Sequence, residues 1–361
     1  MIPKYQHIAD RLRAHLTDDG PQHMTKLPTE KELCARYHVS RQTVRQALLL
    51  LETEGLITRR QGSGAYATGL RPDAADNRIA ILLPSDSDYI YARLRSDLQA
   101  PLIREGFSVS CYITEHSVSK EREILTQLSE SDTPLRGLIV DTVKNALPNP
   151  NLDLYERLWH RQLPTVFLHT PYENFPPRIA ITEDNYAGAA QLTDYLISGK
   201  HMQIGGIFRG DTREGLERYL GFMHTCTEAG LLPDDDLIGW YYTPELIALQ
   251  KKQATGFLGD LINRKFRACS AIVCQDDEIA YWLVKELTRL GIHVPEDMSV
   301  VSFDNSYLCD FSTPGLTSLA LHSSLASYAA DALLAQLRGR PFDSVRLSYE
   351  LILRDSSITL A

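Results

Sequence analysis

The sequence predicts an α/β protein in two parts, a small winged helix-turn-helix head and a larger body of two parallel-sheet lobes. Three observations carry this. Between Thr29 and Thr68 a helix, a tight turn, a second helix and a β-ribbon succeed one another. From Arg78 onward short, continuously apolar strands alternate with helices. The stretch between them is polar and holds Gly69 and Pro72. Strands that are apolar on both faces belong to parallel sheets covered by helices on each side.

The head opens with Tyr5, Ile8, Leu12 and Leu16 at helical spacing, which predicts a first helix over residues 4–17. Thr29-Glu30-Lys31-Glu32 has the form of a capping box, so a second helix should begin there, with Leu33, Ala35 and Tyr37 as its apolar set. Tyr37-His38-Val39 makes the turn, and Ser40 is an N-cap candidate for a third helix. In that helix Val44, Ala47, Leu48 and Leu51 recur at i, i+3, i+4, i+7 and face the core. Arg41, Gln42, Arg45 and Gln46 are left facing outward. Two-pronged Arg and Gln heads fit the edges of guanine and adenine in the major groove, so this helix start is suited to reading DNA. Gly55 can end the helix. Residues 56–60 and 65–68 read as two short strands, and the Gln61-Gly62-Ser63-Gly64 turn between them brings backbone N–H groups within reach of phosphates.

Residues 69–77 read as a linker, dividing the chain into a head over 1–68 and a body over 78–361. In the body, strands at 79–83, 107–113, 137–140, 164–168 and 179–181 form one series, with helices near 90–105, 119–129 and 152–162. A second series follows at 204–208, 237–240, 271–274 and 299–303. Two Rossmann-like lobes are the simplest arrangement, with ligand held where the carboxyl ends of the strands face each other across a cleft. No G-x-G-x-x-G or phosphate-loop pattern follows a strand, so no nucleotide cofactor is indicated.

The formal charge of −9 over 361 residues is unevenly placed. Residues 1–70 hold 10 Lys/Arg against 7 Asp/Glu and the remainder 27 against 39, so the two parts carry +3 and −12. The basic part is the one assigned to DNA. Because +3 is modest, a homodimer presenting two heads is the expected binding unit. The six cysteines lack C-x-x-C or zinc spacing and read as reduced packing thiols. The amino terminus lacks a signal peptide and no apolar run reaches membrane-span length, which predicts a soluble cytoplasmic protein.

Leu27-Pro28-Thr29-Glu30, the run from Val39 to Leu48, Glu54-Gly55-Leu56-Ile57 and Gln61 to Tyr66 together resemble the GntR family of bacterial regulators. That resemblance implies DNA contact at Lys31, Arg41, Gln42, Thr43, Arg45, Gln61 and Gly62; Ser40 and Ser63, at the helix start and the wing tip, complete the expected set. The body resembles the LacI-type effector domain, related to periplasmic sugar-binding proteins, through Glu183 to Gly188, Arg218 to Phe222, Cys274 to Ala280, Val294 to Asn305 and Leu316 to Leu319. Head and body together resemble the arabinose repressor group. The resemblance implies Arg218, Asp276 and Asp304 in a sugar cleft and L-arabinose as effector.

Position after a strand end adds Asp88, Tyr89, Lys144, His169, Tyr172 and Asp211 to the ligand candidates. Plainer readings stand beside them: a helix-face ion pair from Glu214 to Arg218, caps or turns at Asp276 and Asp304, a structural His169, and Asp184 as the cap of the helix it precedes. The function so predicted is a ligand-controlled repressor of sugar-utilisation genes. An enzyme of sugar metabolism lacks a Gly-x-Ser-x-Gly elbow, metal-spaced ligands or a phosphate loop here, and a transport-type sugar-binding protein leaves the head unexplained.

Overall fold

The computed structural model describes residues 5, 8, 9, 11, 12, 26–37, 39–53, 57–60, 64–67, 77–86, 89–131, 134–172, 178–231 and 234–360. In the head, α1 (Glu30–Tyr37) and α2 (Arg41–Thr53) precede β1 (Ile57–Arg60) and β2 (Gly64–Ala67). The capping box closes in both directions, Thr29 N donating to Glu32 Oε2 at 2.7 Å and Glu32 N to Thr29 Oγ1 at 3.3 Å. Thr43 N donates to Ser40 Oγ at 3.2 Å, so Ser40 caps α2.

Val44, Ala47, Leu48 and Leu51 are buried against Ile8, Leu12 and Leu33. Ala35 is exposed instead; it lies two residues from Leu33, on the far side of the helix, and Cys34 and Tyr37 pack in its place. The wing pairs antiparallel from Ile57↔Ala67 to Arg60↔Gly64, and Leu27 N donates to Ala65 O at 2.8 Å, adding the chain before α1 to its edge. Leu16, Gly55, the wing tip and residues 69–76 of the expected linker lie outside the described residues.

The body begins with β3 (Arg78–Leu83), α3 (Tyr91–Arg104), β4 (Ser108–Ile113), α4 (Val118–Glu130), β5 (Leu135–Asp141), α5 (Leu152–His160), β6 (Thr165–Leu168) and β7 (Ile179–Glu183). Then come α6 (Asn185–Ser198), β8 (Ile204–Arg209), α7 (Arg213–Glu228), β9 (Ile238–Tyr241), α8 (Thr243–Lys252), α9 (Gly256–Leu261) and β10 (Ala271–Cys274). The chain finishes with α10 (Asp277–Arg289), β11 (Ser299–Phe303), α11 (Leu308–Phe311), β12 (Thr317–Leu321), α12 (Leu325–Leu337), β13 (Val345–Leu347) and β14 (Tyr349–Ile352).

Two six-stranded sheets result, ordered β13-β7-β6-β5-β3-β4 and β14-β12-β11-β10-β8-β9, parallel except where β14 runs against β12. The chain crosses between lobes three times, because α12 packs its Ala- and Leu-rich face on the first sheet and β13 joins that sheet's edge before β14 returns to the second. Two helix glycines set how closely α7 lies: a Cβ on Gly215 would fall 2.0 Å from Arg209 O, and one on Gly221 would fall 2.2 Å from Tyr186 O. Backbone contact of this kind admits no side chain. Of the adjacent tyrosines read as core or interface, Tyr241 is core and Tyr242 is exposed.

Candidate functional site

On the head, Lys31, Arg41, Gln42 and Arg45 are exposed, while Thr43 is half-buried with its hydroxyl 2.9 Å from that of Ser40. Arg45 is already engaged, its Nε donating to both Glu30 carboxylate oxygens at 3.1 and 3.0 Å. This pair joins α2 to the first turn of α1 and orients the guanidinium. Gln61, Gly62 and Ser63 lie outside the described residues.

Where the two sheets face each other, the strand ends enclose a cavity of about 610 Å³. Tyr89, Lys144 and His169 line it from the first lobe, and Arg218, Asp276 and Asp304 from the second. Asp88 lies outside the described residues. Two other candidates turn away from the cavity. Tyr172 is buried behind the wall, its hydroxyl donating to Glu121 Oε1 at 2.5 Å and accepting from Val143 N at 2.8 Å. Asp211 accepts from Arg209 Nε at 2.8 Å and from Thr243 Oγ1 at 2.6 Å, so it fixes Arg209, which does line the cavity.

Arg218 is the most enclosed of these groups. Its Nε donates to Asn185 Oδ1 at 2.8 Å, one terminal nitrogen to the Gln275 carbonyl and the other to the Tyr349 hydroxyl at 3.2 Å. The guanidinium carbon lies 4.0 Å above the Phe303 ring, a cation–π contact. The alternative reading, a Glu214–Arg218 helix pair, does not account for Arg218, because Glu214 bonds to Thr170 N and Asn145 across the cleft. Asp276 does cap α10, accepting from Ile279 N at 2.8 Å, and its other oxygen takes the Tyr241 hydroxyl at 3.2 Å. Asp184 caps α6 through Ala187 N.

Two acidic residues that the sequence did not single out add to the first-lobe wall: Asp141, the last residue of β5, and Glu183, the last of β7. His169 Nδ1 is 3.0 Å from both Glu183 oxygens, and its Nε2 is 3.5 Å from Asp141 Oδ2. Asp141 Oδ2 and His169 Nε2 are buried with no hydrogen-bond partner among the described residues. The signal that would have found the two acids is a carboxylate closing an apolar strand, as in Leu138-Ile139-Val140-Asp141.

Burial by itself would lower the His169 pKa, but the charges of Glu183 and Asp141 carry it well above the ordinary histidine value, so the ring is cationic. Burial pushes Asp141 up to about 6 against the pull of His169. Burial likewise pushes Asp304 up to about 7, with Arg218 opposing and Asp277 and Asp276 adding to the rise. Burial also raises Asp276. Three of these residues sit on left-handed backbone, Lys144 at φ 49°, His169 at φ 55° and Asp304 at φ 96°. Such conformations cost roughly 1–3 kcal/mol each and collect at binding sites, where surrounding structure holds them. A hydroxyl placed between Asp141 Oδ2 and His169 Nε2 could donate to the first and accept from the second, and Arg218 adds further donors.

Comparison with known proteins defines the class. Residues 4–66 match the family of bacterial regulatory proteins described as the gntR family, and residues 193–357 match the periplasmic binding protein-like domain. The head thus matches the gntR family and much of the body the periplasmic binding protein-like domain. Among individual relatives, it is 29% identical over 363 residues to the arabinose metabolism transcriptional repressor of Geobacillus stearothermophilus, covering 99% of this chain and 98% of that one. The repressor of the same name from Halalkalibacterium halodurans is 29% identical over 88% of this chain and 85% of its own. In fold, the body resembles the periplasmic binding protein/LacI transcriptional regulator of Alkaliphilus metalliredigens crystallised with D-xylulofuranose, at a TM-score of 0.64 and 19% identity over 78% of this chain and 99% of that one. No helix among the described residues is long and apolar enough to cross a membrane.

Proposed function

We propose that this chain is a sugar-responsive transcriptional repressor in which residues 1–68 bind operator DNA, 69–77 link, and 78–361 hold the effector and dimerise. The observation that carries the reading is the pair of buried atoms, Asp141 Oδ2 and His169 Nε2, that lack a hydrogen bond among the described residues and face a cavity shared with Arg218, on a chain whose head presents Arg41, Gln42 and Arg45. Sugar hydroxyls both donate and accept, and this cavity offers both roles. Asp276, Asp304, Tyr89 and Lys144 are the further contacts, and Asp88, outside the described residues, is proposed with them from its place in the sequence. The crowd of carboxylates favours a neutral sugar over an anionic one, since like charges repel most where water is excluded. The names of the two arabinose metabolism repressors make arabinose the first choice, taken as the L-sugar that the resemblance implied.

Two heads of a homodimer would occupy the half-sites of a near-palindromic operator. Sugar lowers operator affinity by binding one lobe arrangement better than the other; equal binding would shift nothing. DNA contacts are assigned to Lys31, Ser40, Arg41, Gln42, Thr43, Arg45, Gln61, Gly62 and Ser63. The regulatory relatives and the use of the cleft for binding support a non-enzymatic role in the cytoplasm, where the operator lies. A thermal-shift screen over pentoses and hexoses tests the effector: L-arabinose should raise the melting temperature selectively, because a ligand bound only by the folded state stabilises it. No shift with any free sugar would remove the assignment.

A pH effect follows from the two raised carboxyls. An unfolded aspartate titrates near 3.9, so each contributes stability that is complete below about pH 4 and lost as pH rises through about 6 for Asp141 and about 7 for Asp304. A sugar hydroxyl donates to the ionised carboxylate and favours it, so binding at about pH 6.5 should release protons. Calorimetric titrations in two buffers of different ionisation heat should therefore give different apparent enthalpies. Identical values would mean that neither carboxyl meets the sugar.

A further inference from the structure

The two lobes are joined at the wall of the cavity, which Asn145 and Glu214 themselves line, by a polar cluster that the proposed hydroxyl contacts do not use. Glu214, in the first turn of α7 on the second lobe, accepts at its Oε1 from Thr170 N at 2.9 Å and from Asn145 Nδ2 at 3.0 Å, both on the first lobe. Asn145 is buried, and its Oδ1 returns the contact by accepting from Arg213 N at 2.7 Å. The same Asn145 nitrogen, which has two hydrogens to share, also lies within hydrogen-bond distance of Thr170 O at 2.9 Å and Thr142 Oγ1 at 3.0 Å, so its donor and acceptor ends are held in fixed senses. Across the cavity, the Tyr89 hydroxyl of the first lobe donates to Asp304 of the second.

One turn beyond Glu214 on the same helix is Arg218, fastened to the second lobe through Asn185, Gln275 and Tyr349. The α7 helix cannot slide freely, because Gly215 and Gly221 lie against backbone. A rigid helix therefore carries a ligand-facing cation on one turn and an interlobe acceptor on the next.

We propose that Glu214, with Asn145, is the positioning residue of lobe closure: it does not read the sugar but holds the lobes together over it, so that loss of the cluster lets bound ligand escape. This rests on the cleft being the ligand site. Among the described residues both hydrogen bonds to the Glu214 carboxylate go to Oε1, so Glu214→Gln keeps an acceptor of the same shape, whereas Glu214→Ala removes it.

The test uses full-length wild type, E214A and E214Q with two readouts. Without ligand, hydrogen exchange at the Thr170 amide should be at least about tenfold faster in E214A than in wild type and unchanged in E214Q, since only the former loses the acceptor. With L-arabinose as probe, stopped-flow dissociation should be about tenfold faster or more in E214A at an unchanged association rate, and within about threefold of wild type in E214Q. An unchanged Thr170 amide in E214A overturns the cluster. A Gln variant that loses ligand as fast as the Ala variant means that the free Oε2 reads the sugar itself, and overturns the positioning role. If wild type binds no L-arabinose, the effector assignment fails while the exchange experiment still decides whether the lobes are held this way.

Discussion

Arg218→Ala should abolish the sugar response and lower the melting temperature of the body by roughly 10 °C. The side chain is buried, with three hydrogen-bond partners and Asp304 within 3.9 Å. Removing one member of such a buried charged cluster typically costs about 3–5 kcal/mol, because the carboxylates left behind have lost their counter-charge. For a domain of this size each kcal/mol is worth about 2–4 °C. Sugar should give no thermal shift in this variant, while operator binding below its melting point should persist, because the head has its own core. Arg218→Lys separates stability from recognition. The charge returns, but an ammonium cannot reach the Asn185 amide oxygen, the Gln275 carbonyl and the Tyr349 hydroxyl from one plane, so melting should recover in part without the sugar response. Full sugar affinity in either variant would take Arg218 out of the site.

Arg45→Ala should weaken operator binding by about 1–3 kcal/mol, the usual loss for a two-pronged base contact. The free protein holds this side chain against Glu30, with 64% of its surface exposed. Exposed pairs contribute only about 0.2–1 kcal/mol, so DNA can displace the carboxylate at little cost. Glu30→Ala should consequently change operator affinity less than Arg45→Ala, and neither should alter sugar binding. Fluorescence anisotropy with a DNA fragment selected by the wild-type protein measures both. If Arg45→Ala binds that fragment as tightly as wild type, α2 does not present this side chain to the bases; a loss equal on specific and random DNA would instead mark a phosphate contact.

What the sequence determined by itself was most of what short-range spacing governs, Ala35 being the exception. The Thr29/Glu32 and Ser40/Thr43 caps join residues three apart, and the buried stripe Val44, Ala47, Leu48, Leu51 follows from helical periodicity alone. Apolar strands announced two parallel sheets; the rule that ligands gather at strand ends picked out Tyr89, Lys144 and His169, the family resemblance picked out Arg218, Asp276 and Asp304, and all six line one cavity. The direction in which a side chain leaves a strand end was not legible. Tyr172 and Asp211 obey the same positional rule, yet partners distant in sequence, Glu121 and Thr243, draw them behind the wall.

Tertiary structure decided the rest. His169 finds Asp141 and Glu183 because β5, β6 and β7 are neighbours in one sheet, and Glu214 meets Thr170 because the chain folds one lobe over the other. The return of α12 and β13 to the first lobe likewise depends on which sheet face is left to cover. Local hydrogen bonds are written in residue spacing, whereas contacts between strand ends depend on strand order and register, which are set only when the whole apolar surface is buried together.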